Sequence, residues 1–168
     1  MAAKKSKKKK AAKPGSDQSK VIAENRRARH RFEILQQIEC GIMLIGSEVK
    51  SIREGNISLN EAYVRVEKNE LWLVGADIPE YIQASFWNHK PKRSRKLLVH
   101  RRELDKLKAK AFEKGLTLVP LRMFFNARGL VKIIVGVCRG KKVHDKRQSM
   151  KDADNQRRLS REMRERRK

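Results

Sequence analysis

Residues able to carry reaction chemistry are few in this sequence, and none stands where a reaction would need it. His30, His89, His100 and His144 lie beside Arg or Lys or in basic loops, with no Ser or Cys nucleophile pattern and no carboxylate pair at helical spacing. Cys40 and Cys138 are far apart, without C-x-x-C spacing or a neighbouring histidine pair. A structural zinc would need four ligands at recognisable spacing, so the two read as reduced, partly buried thiols of a cytosolic protein. Gly140-Lys141-Lys142 lacks the spacing of a phosphate-cradling P-loop. Neither catalysis, nor a metal, nor a cofactor is expected.

Binding chemistry is abundant. The 168 residues hold 43 Lys and Arg against 19 Asp and Glu, a net charge of +24 that repels itself unless a polyanion is near. It is spread along the chain: +7 in residues 1–20, +9 in 21–138 and +8 in 139–168. Two segments concentrate the forked donors that grip phosphate: "NRRARHR", with Asn25, Arg26, Arg27, Arg29 and His30, and "NHKPKRSRK", with Lys92, Arg93, Arg95 and Lys96. Tyr81, Phe86 and Trp87 stand between them and could offer faces to unpaired bases. Each aromatic taken alone could equally cover one end of a core; the basic company favours RNA. Lys4 to Lys10 read as a solvated, nonspecific arm.

The elements that must position these side chains read mainly as short strands. Arg31 to Gly46 suits one long strand bent at Gly41. Ser47 can cap a short helix that carries Val49 and Ile52 and stops at Gly55. Ala62 to Ile78 forms a hairpin about Lys68 and Asn69. Leu104, Leu107 and Ala111 fall on one face of a second helix ended by Gly115. Two β-rich runs then meet at Asn126 to Gly129. This order predicts a mainly β fold: an OB-fold-like closed antiparallel β-barrel with about three helices packed on it and disordered basic termini. The expected division is an arm over 1–20, an OB-fold domain over 21–139 and a basic tail over 140–168. No apolar run approaches the ~20 residues of a membrane span, and the basic N-terminus lacks an apolar signal region, so a soluble, cytoplasmic protein is expected, and separately a monomer.

The blocks "NRRARH", "GSEVKSIREG", "ELWLVGADIPEY", "RSRKLLVHRRELDKL" and "GKKVHDKR", in this order and spacing, resemble the small protein B (SmpB) family of trans-translation over about Ala23 to Met150. The resemblance implies an OB-fold that binds the tRNA-like domain of tmRNA and brings it to the A site of a stalled ribosome. It implies that Glu39 matches a strand glutamate needed for tmRNA binding, orienting basic groups rather than touching phosphate. Lys132 and Arg95 to Leu98 would support the RNA-binding face, Leu98 by packing. Gly140, Lys141, Lys142 and His144 would lead to the small-subunit decoding centre. Asp145, Lys146 and Arg147 match a tail motif needed for accommodation and tagging in the mRNA channel. There are departures: His100 stands where relatives often carry Asn, Met150, Lys151 and Asp152 replace Ile-Lys-Glu, and Asn155 replaces an aromatic.

The tail has no Gly or Pro from Lys141 to Lys168, places Asp154 with Arg158 and Glu162 with Arg166 at i,i+4, and strings Met150, Ala153, Leu159 and Met163 into a sparse apolar stripe. Such pairs contribute about 0.2–0.5 kcal/mol each against roughly 1–2 kcal/mol per residue of backbone ordering, so the tail is expected to be disordered when free and helical on a binding surface. Two other classes stay open: a general OB-fold ribosomal or translation-factor protein, and a ribonuclease, which would need an acid and a base about one phosphate.

Overall fold

The computed structural model describes residues 20–84 and 88–142, and in the tail Asn155, Arg158, Leu159, Glu162, Met163 and Glu165. Phe86, Trp87, His144, Asp145, Lys146, Arg147, Met150, Lys151 and Asp152 lie outside the described residues.

Along the chain run β1 (Lys20–Glu24), α1 (Arg26–Arg31), β2 (Phe32–Ile42), α2 (Gly46–Arg53), β3 (Tyr63–Glu67), β4 (Glu70–Val74), β5 (Arg95–Leu98), α3 (Arg101–Ala111), β6 (Leu116–Phe125) and β7 (Val131–Gly140). The sheet order is β1-β6-β3-β4-β5-β2-β7, and a further β6–β7 pairing closes the last six into an antiparallel ring. β1 extends the β6 edge beyond the point where Leu118 meets Val64 of β3. The inward faces of the strands, together with Leu107 of α3, enclose a core that includes Leu71, Leu73, Ile78, Met123, Ile133, Val135 and Val137.

Local chemistry explains the best-formed turns. Lys68 and Asn69 both have positive φ, 47° and 64°, the conformation of a two-residue turn whose twist matches the strands it joins. At the β6–β7 connection Gly129 takes φ 73°, and the Asn126 carboxamide oxygen accepts from Arg128 and Leu130 N–H. Leu104 and Leu107 are the buried residues of α3.

Four expectations are corrected. The first long strand is Phe32–Ile42, and its irregularity lies between Ile34 and Gln36, where the register against β7 shifts. Gly41 instead lets Leu98 approach, since a Cβ there would stand 3.3 Å from Leu98 Cβ. Ile45, not Ser47, occupies the N-cap of α2, because the Glu48 carboxylate accepts the Ile45 N–H at 2.8 Å while Ser47 Oγ bonds His89. α3 ends at Ala111, and Gly115, at φ 83°, serves the turn that follows. β1, α1 and β5 were not anticipated.

Cys40 and Cys138 are free thiols, and both are fully buried rather than partly so. Burial, with the charges of Glu103 and Glu39 adding to it, pushes Cys40 up to about 12. Burial alone raises Cys138 to about 11. Both thiols stay protonated and unreactive while the fold is intact.

Candidate nucleic-acid interface

Three clusters hold the residues singled out by sequence, and they differ in what those residues can reach. The first is an open groove of about 840 Å³ at one end of the β2–β7 ladder, where Gly41 pairs with Lys132. β2 supplies Glu39, β5 supplies Leu98 opposite Gly41, His100 stands at the N-cap position of α3 without a side-chain capping bond, and β7 supplies Lys132. Lys132 Nζ lies 3.4 Å from Glu39 Oε1, with the two side chains 30% and 54% exposed. An ion pair this wet is weak, so both partners remain available. Leu98 and Leu130 expose large apolar surfaces between them. Lysine can meet phosphate, the leucines can pack under a sugar or base, and the carboxylate can accept from base N–H groups. Sequence reasoning missed Leu130 and Glu103 in this groove; the only signal was a bulky apolar residue directly after a turn glycine.

The second cluster lies at the other end of the same ladder, where Phe32 pairs with Gly140. Nine residue steps separate it from the groove, about 30 Å at 3.3 Å per residue. Arg26, Arg27, Arg29 and His30 are exposed on α1. Asn25 is corrected from an RNA contact to a structural cap: its Oδ1 accepts from Ala28 N–H and its Nδ2 donates to the Leu59 carbonyl, both at 2.9 Å, and the residue is buried. The root of the tail docks here. Lys141 N–H donates to the Arg31 carbonyl at 3.0 Å and Lys141 Nζ to the Arg29 carbonyl at 3.3 Å, beside Gly140 and Lys142.

The third cluster removes two arginines from the candidate surface. Glu48, fully buried on α2, accepts from Arg93 Nε at 2.7 Å and Nη2 at 2.6 Å, and from Arg95 Nε at 2.8 Å. Arg95, equally buried, spends its remaining donors on the carbonyls of Ala76, Pro91 and Arg93. It cannot touch phosphate, and Arg93 is largely committed to the same carboxylate. Burial works to raise the Glu48 carboxyl, but the Arg93 hydrogen bonds, the Ile45 N–H and Arg95 outweigh it and hold Glu48 below the usual carboxylate range. His89 is also structural, buried between Ser47 Oγ and the Ile78 carbonyl. Of the remaining candidates in this segment, Lys92 is exposed and Lys96 pairs with Glu70. Tyr81 lies under Lys50 Nζ, 5.5 Å from its ring centre.

Among the described residues no group of His, Cys, Asp and Glu is placed to hold a metal, and no described helix is long and apolar enough to cross a membrane.

An SsrA-binding protein of Rhodopirellula baltica is 57% identical over 143 residues, 85% of this chain and 81% of the relative. One from Cereibacter sphaeroides is 50% identical over 143 residues, 85% of this chain and 91% of the relative. A chain of the solved structure described as "tmRNA-SmpB: a journey to the center of the bacterial ribosome" superposes with a TM-score of 0.63 at 49% identity, covering 73% of this chain and 85% of that one. The family model described as SmpB protein matches residues 22–165, and on that span and those identities the chain belongs to the SmpB family.

Proposed function

We propose that this protein binds the tRNA-like domain of tmRNA in the groove of Glu39, Leu98, His100 and Lys132 and delivers it to the A site of stalled ribosomes for trans-translation. The single observation that carries this reading is the convergence of those four residues, from three separate stretches of sequence, on one open groove in a chain of the SmpB family. The strand ring is an OB-fold-like barrel presenting that groove, and the protein acts in the cytoplasm as a binding module without catalytic activity. Charged and apolar groups that converge at an open surface suit recognition of RNA shape and backbone.

The tail follows the empty mRNA channel beyond the decoding centre, with His144, Asp145, Lys146 and Arg147 near its root and Met150, Lys151 and Asp152 farther along. Its described positions support this reading: Leu159 and Met163 are helical, exposed and four residues apart, an apolar pair on one helix face. Positive charge favours entry into an RNA-lined passage.

Cutting the chain after Gly140 tests the division of labour. The truncated protein should bind tmRNA in preference to a structured RNA of equal length, because no described strand extends beyond Gly140. It should not support tagging of nascent chains on stalled ribosomes. Tagging at the full-length level would overturn the role given to the tail, and loss of the preference for tmRNA would overturn the groove.

A further inference from the structure

We propose that the outward face of β3, β4 and β5 carries a stacking site for one unpaired base of the RNA held in the groove, with the indole of Trp72 as its floor and Arg65 and Lys96 at its sides. The proposal rests on the proposed function for the presence of RNA in the groove; the place and chemistry of the site come from strand register and side-chain surroundings.

Strand alternation turns Leu71 and Leu73 of β4 into the core, where both are buried, and leaves Glu70, Trp72 and Val74 on the outer face. A single half-buried aromatic on a solvated face is ordinary. The surroundings of this one are not. Arg65 of β3 and Lys96 of β5 stand directly opposite it on either side. Neither covers the ring: among the described residues the cations over aromatic rings are Lys50 over Tyr81 and Arg122 over Phe124. Both are drawn aside to carboxylates instead, Arg65 to Glu67 at 2.8 Å and Lys96 to Glu70. The indole N–H has no hydrogen-bond partner among the described residues, and no buried side-chain donor there lacks one, so it reaches solvent. Trp72, Arg65, Glu67, Lys68, Glu70 and Ser94 line an open cavity of about 250 Å³, room for one planar ring system and too small for a helix.

The register decides the occupant. Lys96 is opposite Trp72, and Leu98, exposed in the groove, follows Lys96 by two on the same face of β5. Trp72 and Leu98 are therefore diagonal neighbours, roughly 7–8 Å apart on the outer face. RNA resting on Leu98 passes next over Trp72. The ion pairs of Arg65 and Lys96 are exposed and weak, so both cations can turn from Glu67 and Glu70 to the phosphates on either side of a stacked base. A protein partner would need a broader apolar core than one ring set among charged side chains. Stacking on an aromatic face releases no counterions, so this contact adds affinity without adding to the salt dependence.

The test is the full chain carrying Trp72→Leu, Trp72→Phe or Lys132→Glu, each shown by circular dichroism to keep the parental fold, titrated with the isolated tRNA-like domain of tmRNA at several salt concentrations. Trp72→Leu should bind at least about fivefold more weakly with the salt slope of the parent, because a base contact is lost and no phosphate contact. Trp72→Phe, which keeps a smaller stacking face, should fall between the two. In a chain carrying Trp87→Phe, Trp72 is the only tryptophan left, and its fluorescence should be quenched at saturation with the RNA. Parental affinity in Trp72→Leu, or unquenched Trp72 emission at saturation, would overturn the inference, and so would a Trp72→Phe variant as weak as Trp72→Leu. The groove is judged separately by Lys132→Glu. If that variant binds like the parent while Trp72→Leu keeps its loss, the groove reading fails and the stacking site stands; if Lys132→Glu alone weakens binding, the groove stands without the base at Trp72.

Discussion

Glu48 and Glu39 are both strand- or helix-borne carboxylates beside basic side chains, and they have opposite uses. Glu48 is sealed from solvent with two guanidiniums, one of them fully buried, and all of its hydrogen bonds are to the protein. Glu39 has one lysine at 3.4 Å and more than half of its side chain in water. The first arrangement ties α2 to the segment running through Ala76, Pro91, Arg93 and Arg95. The second leaves charge, donor and acceptor free to be re-paired by a ligand. The difference teaches that an arginine in a basic run is a ligand contact only if no buried carboxylate has claimed it.

Removing the buried partner should give the largest effect. Glu48→Ala strands Arg95 without its counter-charge, a loss of about 3–5 kcal/mol, read as a lower urea midpoint. A midpoint within error of the parent would mean that the carbonyls of Ala76, Pro91 and Arg93 suffice for Arg95, and the contrast with Glu39 would collapse. The pH dependence sharpens the same point. With its folded pKa depressed, Glu48 contributes stability above the unfolded carboxylate value of about 4.3 and loses that contribution as pH falls through the lower folded value. Stability of the parent relative to Glu48→Gln should therefore shrink between about pH 5 and pH 3; a constant difference would show that the carboxyl is not the titrating group. The smallest change in stability belongs to the groove. Lys132→Glu and Glu39→Gln should each move unfolding by no more than about 0.5 kcal/mol, as surface substitutions do. Lys132→Glu should nevertheless weaken tmRNA binding and lower its salt slope by about one.

How far each element was legible follows from whether its signal was local. The Lys68-Asn69 turn, the Asn126 to Gly129 turn and the Leu104, Leu107 face of α3 are written in a few adjacent residues, and they were readable. β1 and β5 are five and four residues long, too short to show a period, and exist through their pairing with β6 and with β4 and β2. α1 has no apolar stripe and depends on the Asn25 cap and Ala28, so its arginines read simply as charge. Within the site, Glu39, Leu98, His100 and Lys132 came from family resemblance. Arg95 was misassigned because nothing local distinguishes it from Lys96; strand alternation sends one inward to Glu48 and the other outward to Glu70.

The closure of the strand ring carries a consequence for how the molecule comes into being. β2 must wait for β7, since Phe32 finds Gly140 and Gly41 finds Lys132 only across most of the chain. Contacts so remote in sequence make for high contact order and slow acquisition of the native state. Until residues 131–140 are in place, β2 and β6 each present a row of unpaired backbone groups, the template on which other chains add. The last strand is thus the clasp that ends a sticky stage of folding, and a chain shortened before Val131 should self-associate where one ending at Gly140 stays monodisperse.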